Sequence, residues 1–114
     1  MKQKIDKIMN TIDKMKDPFH SIGHKLHLII TQEAPELVVD LWYGSVAYKD
    51  PNTNKVICFY RLDSQFTFSL GEDAYFDFNK DNADAIQPSA WFLVSLNESV
   101  EAKIREIVRS AIKK

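Results

Sequence analysis

Around Pro35 the spacing of apolar residues changes from that of a helix to that of a strand, and this change constrains the fold more than any other feature. Before it, Phe19, Ile22, Leu26, Ile29 and Ile30 recur at intervals of three and four, which makes one apolar stripe on a helix running from about Pro18 to Gln32. After it, Leu37, Val39, Leu41 and Tyr43 alternate with Val38, Asp40 and Trp42, as in a strand with unlike faces. Pro35 marks the boundary because the residue before a proline is driven out of the helical region. Both helices and strands must therefore find places in one architecture.

The remaining periodicities supply the other elements. Ile5, Ile8, Met9, Ile12 and Met15 form a first helical stripe. Asp17-Pro18 reads as the N-cap and first-turn proline of the second helix, and Gly23 weakens that helix by roughly 1 kcal/mol relative to alanine. Gly44-Ser45 breaks or bends the first strand, and an extended run resumes from Val46 to Lys49. Asp50 to Asn54 is a cluster of turn formers. Val56 to Leu62 and Phe66 to Leu70 read as two strands joined by a short connection at Asp63-Ser64. Residues 71–90 read as a polar, acidic loop with one helical turn around Ala74 to Phe78. Trp91 to Leu96 is a last strand. Asn97 caps a final helix whose buried face is Val100, Ile104, Ile107, Val108 and Ala111, with Glu98 and Glu101 at its start and Arg109, Lys113 and Lys114 at its end, matching the macrodipole.

The order α-α-β-β-β-β-loop-β-α predicts an α+β two-layer sandwich. About five mostly antiparallel strands carry two N-terminal helices and a C-terminal helix on one face. At 114 residues the chain suits a single domain, 1–114.

A net charge of -1 gives no electrostatic footprint for nucleic acid, and no run approaches the length of a membrane span. Charge is nevertheless uneven. Residues 1–30 hold six lysines against three aspartates, and residues 72–84 hold five acids against Lys80. The single cysteine, Cys58, excludes an intramolecular disulfide and fits a reducing compartment. With no apolar leader after Met1, a cytoplasmic location is expected.

Ala34-Pro35-Glu36 and Trp42-Tyr43-Gly44-Ser45-Val46-Ala47-Tyr48 resemble the YdhG-like family, a bacterial domain of unknown function, over roughly Leu28 to Lys114. The resemblance implies a frataxin-like sandwich. Some relatives are described as intracellular iron chaperones, which implies iron or another divalent metal as cargo and iron–sulfur or haem assembly proteins as partners. Two departures stand out. The family's proline in the glycine stretch is Val46 here, and Gln87-Pro88-Ser89-Ala90 replaces a common lysine and glycine before the last strand.

Candidate chemistry is sparse. His20, His24 and His27 fall within an arc of about 60° on the second helix, and imidazoles at such spacing suit a transition metal. Against this, that stripe carries no carboxylate to complete the site. Frataxin-type chaperones hold iron on an acidic ridge along the first helix, which is lysine-rich here. Glu33, Glu36 and Asp40, at the helix–strand junction, are the carboxylates that could substitute, although end-capping and solubility explain them better. The run Asp77 to Asp84 opens like a calcium loop and then fails, with Asn82 where a glycine turns and Pro88 where a glutamate closes.

The aromatic strands offer a ligand or partner face made of Trp42, Tyr43, Tyr48, Tyr60 and Trp91, set against the plainer expectation that about half of these are core. Cys58 reads as a small buried hydrophobe. No catalytic residues assemble: there is no nucleophile elbow, P-loop or dinucleotide glycine pattern. Two functions are therefore expected, a frataxin-like weak metal binder or a non-enzymatic binding module for a small molecule or protein using the aromatic sheet.

Overall fold

The structure, a computed structural model, describes residues 2–75 and 88–112. Three helices, α1 (Lys2–Asp13), α2 (Phe19–Glu33) and α3 (Glu98–Ile112), accompany five strands, β1 (Val38–Trp42), β2 (Ser45–Lys49), β3 (Val56–Leu62), β4 (Phe66–Leu70) and β5 (Ala90–Phe92). The strands form an antiparallel meander in the order β1-β2-β3-β4-β5. The expected α+β class, with two helices before the sheet and one after it, is what the chain adopts.

Register explains which residues become core. Leu41, Val46, Tyr60, Phe68 and Trp91 stand opposite one another across the five strands, and Val39, Tyr48, Cys58 and Leu70 form a parallel row. These rows share one face of the pleat. Together with Ile8 and Ile12 of α1, Ile22, Leu26, Ile29 and Ile30 of α2, and Ile104 and Val108 of α3, their members other than Leu41 build or pack against the main buried cluster. The opposite row, Asp40, Ala47, Phe59, Ser69 and Ala90, contributes no residue to that cluster. Three helices thus cover one face of the sheet.

Gly23 permits a close contact between α1 and α2. A Cβ at this position would lie 2.8 Å from Ile12 Cγ2, so the missing side chain is what lets α1 seat its apolar stripe on α2. The propensity cost visible in the sequence is offset by packing. In β3, an irregularity opposite Tyr48 and Lys49 leaves Ile57 without a partner in β2. This bulge lets Ile57 join a satellite cluster with Ala74 and Ala111 of α3.

Several local expectations change. Pro18 occupies the N-cap position of α2 and no side chain caps it. Asp17 instead pairs with His20 Nδ1 at 2.6 Å. Tyr43 does not continue β1: Tyr43 and Gly44 are the two residues of a tight hairpin, with φ of 51° and 80°, and two positive φ values match the twist of the flanking strands. The β3–β4 connection has three residues, closed by Asp63 N–H donating to Gln65 O at 3.1 Å. The last strand ends at Phe92 rather than Leu96. Asn97 does cap α3, its Oδ1 accepting from Val100 N–H at 2.9 Å. The helical turn expected to reach Phe78, and the calcium-like run Asp77 to Asp84, lie outside the described residues.

Candidate functional site

The three histidines do not converge. His20 is held by Asp17 within its own turn, and His24 Nε2 lies 2.6 Å from Asp13 Oδ1 on α1. His27 turns toward the sheet, its Nδ1 2.8 Å from the Tyr48 hydroxyl. Among the described residues no group of three or more His, Cys, Asp or Glu side chains is arranged to hold a metal ion.

The three carboxylates also separate. Glu33 spans to α3, with Arg105 Nη1 donating at 2.9 Å and Arg109 Nε at 2.7 Å. Those two guanidinium groups hold the Glu33 carboxyl below its usual range. Glu101 joins through Arg105 and Lys25, so the cluster fastens α2 to α3. Asp40 Oδ1 accepts from Leu41 N–H at 2.8 Å, and its Oδ2 lies 3.4 Å from Lys49 Nζ. Glu36 is exposed in the turn after α2.

Of the five aromatics expected on a ligand face, Tyr48 and Tyr60 must be withdrawn. They are 1% and 0% exposed, because their alternation places them toward the helices. Their hydroxyls are satisfied in series. Tyr60 OH donates to Gly23 O at 3.2 Å, and Tyr48 OH lies 2.9 Å from Tyr60 OH. A hydroxyl has one proton to give. With that of Tyr60 spent on Gly23, Tyr48 donates to Tyr60, and His27 Nδ1–H donates to Tyr48. This order fixes the imidazole tautomer. Burial, then the charge of His24, lowers the His27 pKa, and burial raises the Tyr48 and Tyr60 phenols. The series is a directed string of neutral donors threaded from α2 into the core.

Trp91 is half-buried and stacks with Phe68, ring centroids 5.9 Å apart, so it too lies on the helix side. Cys58 is fully buried and its thiol is pushed up to about 12 by burial. A thiol so raised is no nucleophile near neutral pH.

On the face of the sheet that carries none of the described helices lies the β1–β2 hairpin. Trp42 meets Phe59 and Tyr43 edge-on, each with centroids 5.2 Å apart. Tyr43 is 83% exposed and holds a left-handed backbone that costs a residue with a Cβ about 1 kcal/mol. Arg61 Nη1 donates to the Tyr43 carbonyl at 3.0 Å, while Asp63 pairs with Arg61 Nε at 2.9 Å. An asparagine would fill this turn position with less strain. A large, rigid, exposed tyrosine stands there instead, braced from β3. Phe59 was absent from the residues expected at a site, although its alternation with Tyr60 could have placed it beside Trp42.

No family model, no curated protein and no solved structure matches the chain. The YdhG-like resemblance therefore rests on the short motifs alone.

Proposed function

We propose that this chain is a non-enzymatic binding domain that engages a protein partner through the Trp42–Tyr43 hairpin tip and the neighbouring Phe59. The observation that carries this reading is Tyr43: a strained left-handed backbone, held from behind by Arg61, presents a largely exposed aromatic side chain in edge contact with Trp42. Strain of this kind clusters at functional positions, and tyrosine and tryptophan anchor interfaces at small entropic cost. The distribution of titratable groups agrees, since Cys58, Tyr48 and Tyr60 are buried and Glu33 and Asp40 are committed to helix and strand contacts.

Affinity capture from the source cells, comparing wild type with Tyr43→Asn and followed by reconstitution with the purified partner, tests the reading. The variant keeps the hairpin and should lose the partner. Equal retention of the same protein by both forms would refute the assignment.

The YdhG-like resemblance supplies a second reading, weak iron or divalent-metal binding with delivery to iron–sulfur or haem assembly proteins. The Asp13–His24 pair, which offers two donors across α1 and α2, favours it most. A thermal-shift screen with Fe(II), Zn(II) and Ni(II) separates the two readings. A metal at about a hundred times its Kd adds about 2.7 kcal/mol of stability, and a shift abolished by His24→Ala would establish the metal reading.

A further inference from the structure

The two edges of the sheet differ. At β1 the outward Leu41 N–H is already taken by the Asp40 carboxylate, which removes one of the donors that a further strand would need. At β5 Leu70 N–H donates to Ser89 O at 2.7 Å and Leu93 N–H donates to Phe66 O at 2.9 Å. Alternation then turns the peptide groups of Trp91 toward β4 and those of Ala90 and Phe92 outward. Among the described residues no strand lies beyond β5. The stretch Ser89 to Leu96 carries no charge, and Phe92 and Val94 are 68% and 79% exposed.

Beside this edge, α3 leaves part of the sheet uncovered. A cleft of about 180 Å³ runs between β5 and α3, floored by Phe68 and Trp91 and walled by Val100, Ile104 and Ile107, with Lys103 at its rim. Lys103 also lines the adjoining cleft of about 240 Å³, as does Glu106. Lys103 makes no ion pair among the described residues.

We propose that the β5 edge and this cleft form a strand-addition site for an extended, largely apolar peptide segment of a partner protein that carries a carboxylate. Backbone groups of the partner pair with Ala90 and Phe92. The partner residue opposite Trp91 shares the face of Trp91 and enters the cleft, while its neighbours lie beside Phe92. The partner carboxylate meets Lys103 on the side away from Glu106. Strand addition draws affinity from main-chain hydrogen bonds and specificity from pockets for alternate side chains, and both parts are present here. The site is separate from the Tyr43 hairpin, so either assignment stands or falls without the other.

The probe is a fluorescein-labelled synthetic peptide in which valine and threonine alternate around a central leucine and end in aspartate, followed by fluorescence anisotropy against the full chain. Wild type should bind it saturably. Methylating the alternate peptide nitrogens that pair with the edge should weaken binding at least about tenfold. Lys103→Glu, an exposed change that leaves the fold intact by thermal melt, should weaken the aspartate peptide and strengthen its lysine-ended counterpart. No saturable binding by wild type, or binding indifferent to both nitrogen methylation and Lys103→Glu, would overturn the proposal. A wild-type dimer in sedimentation that Phe92→Lys dissolves would overturn it also, by giving the edge to a second copy of this chain.

Discussion

His27 Nδ1 lies 2.8 Å from the Tyr48 hydroxyl, and the donor order of the Tyr48–Tyr60–Gly23 string requires a proton on that nitrogen in both charge states of the ring. Protonation therefore occurs at Nε2 and leaves the string intact. Burial and His24 lower the pKa from the ordinary 6.5. Below that value the unfolded chain takes up a proton that the folded chain refuses. Stability is thus full above the ordinary value and is lost as pH falls toward the lowered one. Urea unfolding at neutral and mildly acidic pH should show a smaller acid-side loss for His27→Asn than for wild type. Identical pH slopes would show that His27 is not the group responsible.

Tyr43→Asn should stabilise the protein by about 1 kcal/mol, because asparagine tolerates the left-handed turn position better. The change should appear as a higher urea midpoint with an unchanged slope. A destabilised variant would mean that the ring itself contributes packing, most directly through its edge contact with Trp42.

Gly23→Ala should destabilise by roughly 1 kcal/mol, the overpacking against Ile12 exceeding the gain in helix propensity. In an Ile12→Leu background the obstructing Cγ2 is gone, and the same substitution should be neutral or favourable. An equal cost in both backgrounds would rule out the Ile12 contact as its cause.

Glu33→Gln should lower stability by loosening α2 from α3, and the loss should shrink in about 1 M salt, where charges are screened within about 3 Å. The Glu33 carboxyl titrates below its ordinary value, so its contribution is present near neutrality and is lost as pH falls through that lowered value. Chemical denaturation of the variant at low and high salt checks this. A loss of equal size in both would point to packing rather than charge.

Periodicity alone made the elements readable: Ile8 and Ile12, Leu26, Ile29 and Ile30, Phe66 and Phe68, and Ile104 and Val108 all face the core that their spacing predicts. Side-chain partners were not readable at the same level. The histidines share a stripe of α2, yet Asp17, Asp13 and Tyr48 draw them to separate neighbours, and two of those partners lie on other elements. Tyr48 and Tyr60 sat in an aromatic-rich stretch, and only register decided which aromatics meet helices. The strand alternation runs on through Tyr43, because Tyr-Gly is a weak signal for a turn that usually announces itself as Asn-Gly. The β5–α3 cleft arises from where α3 crosses the sheet, which no local pattern encodes.

The unequal edges also set a limit on assembly. Growth of a sheet from molecule to molecule needs two receptive sides per unit, one to accept and one to pass on. With Asp40 occupying Leu41 N–H at β1, that edge has one donor fewer to offer a further strand. An array built through this sheet would extend less readily from β1, so the capped donor works against fibre growth from an uncharged edge.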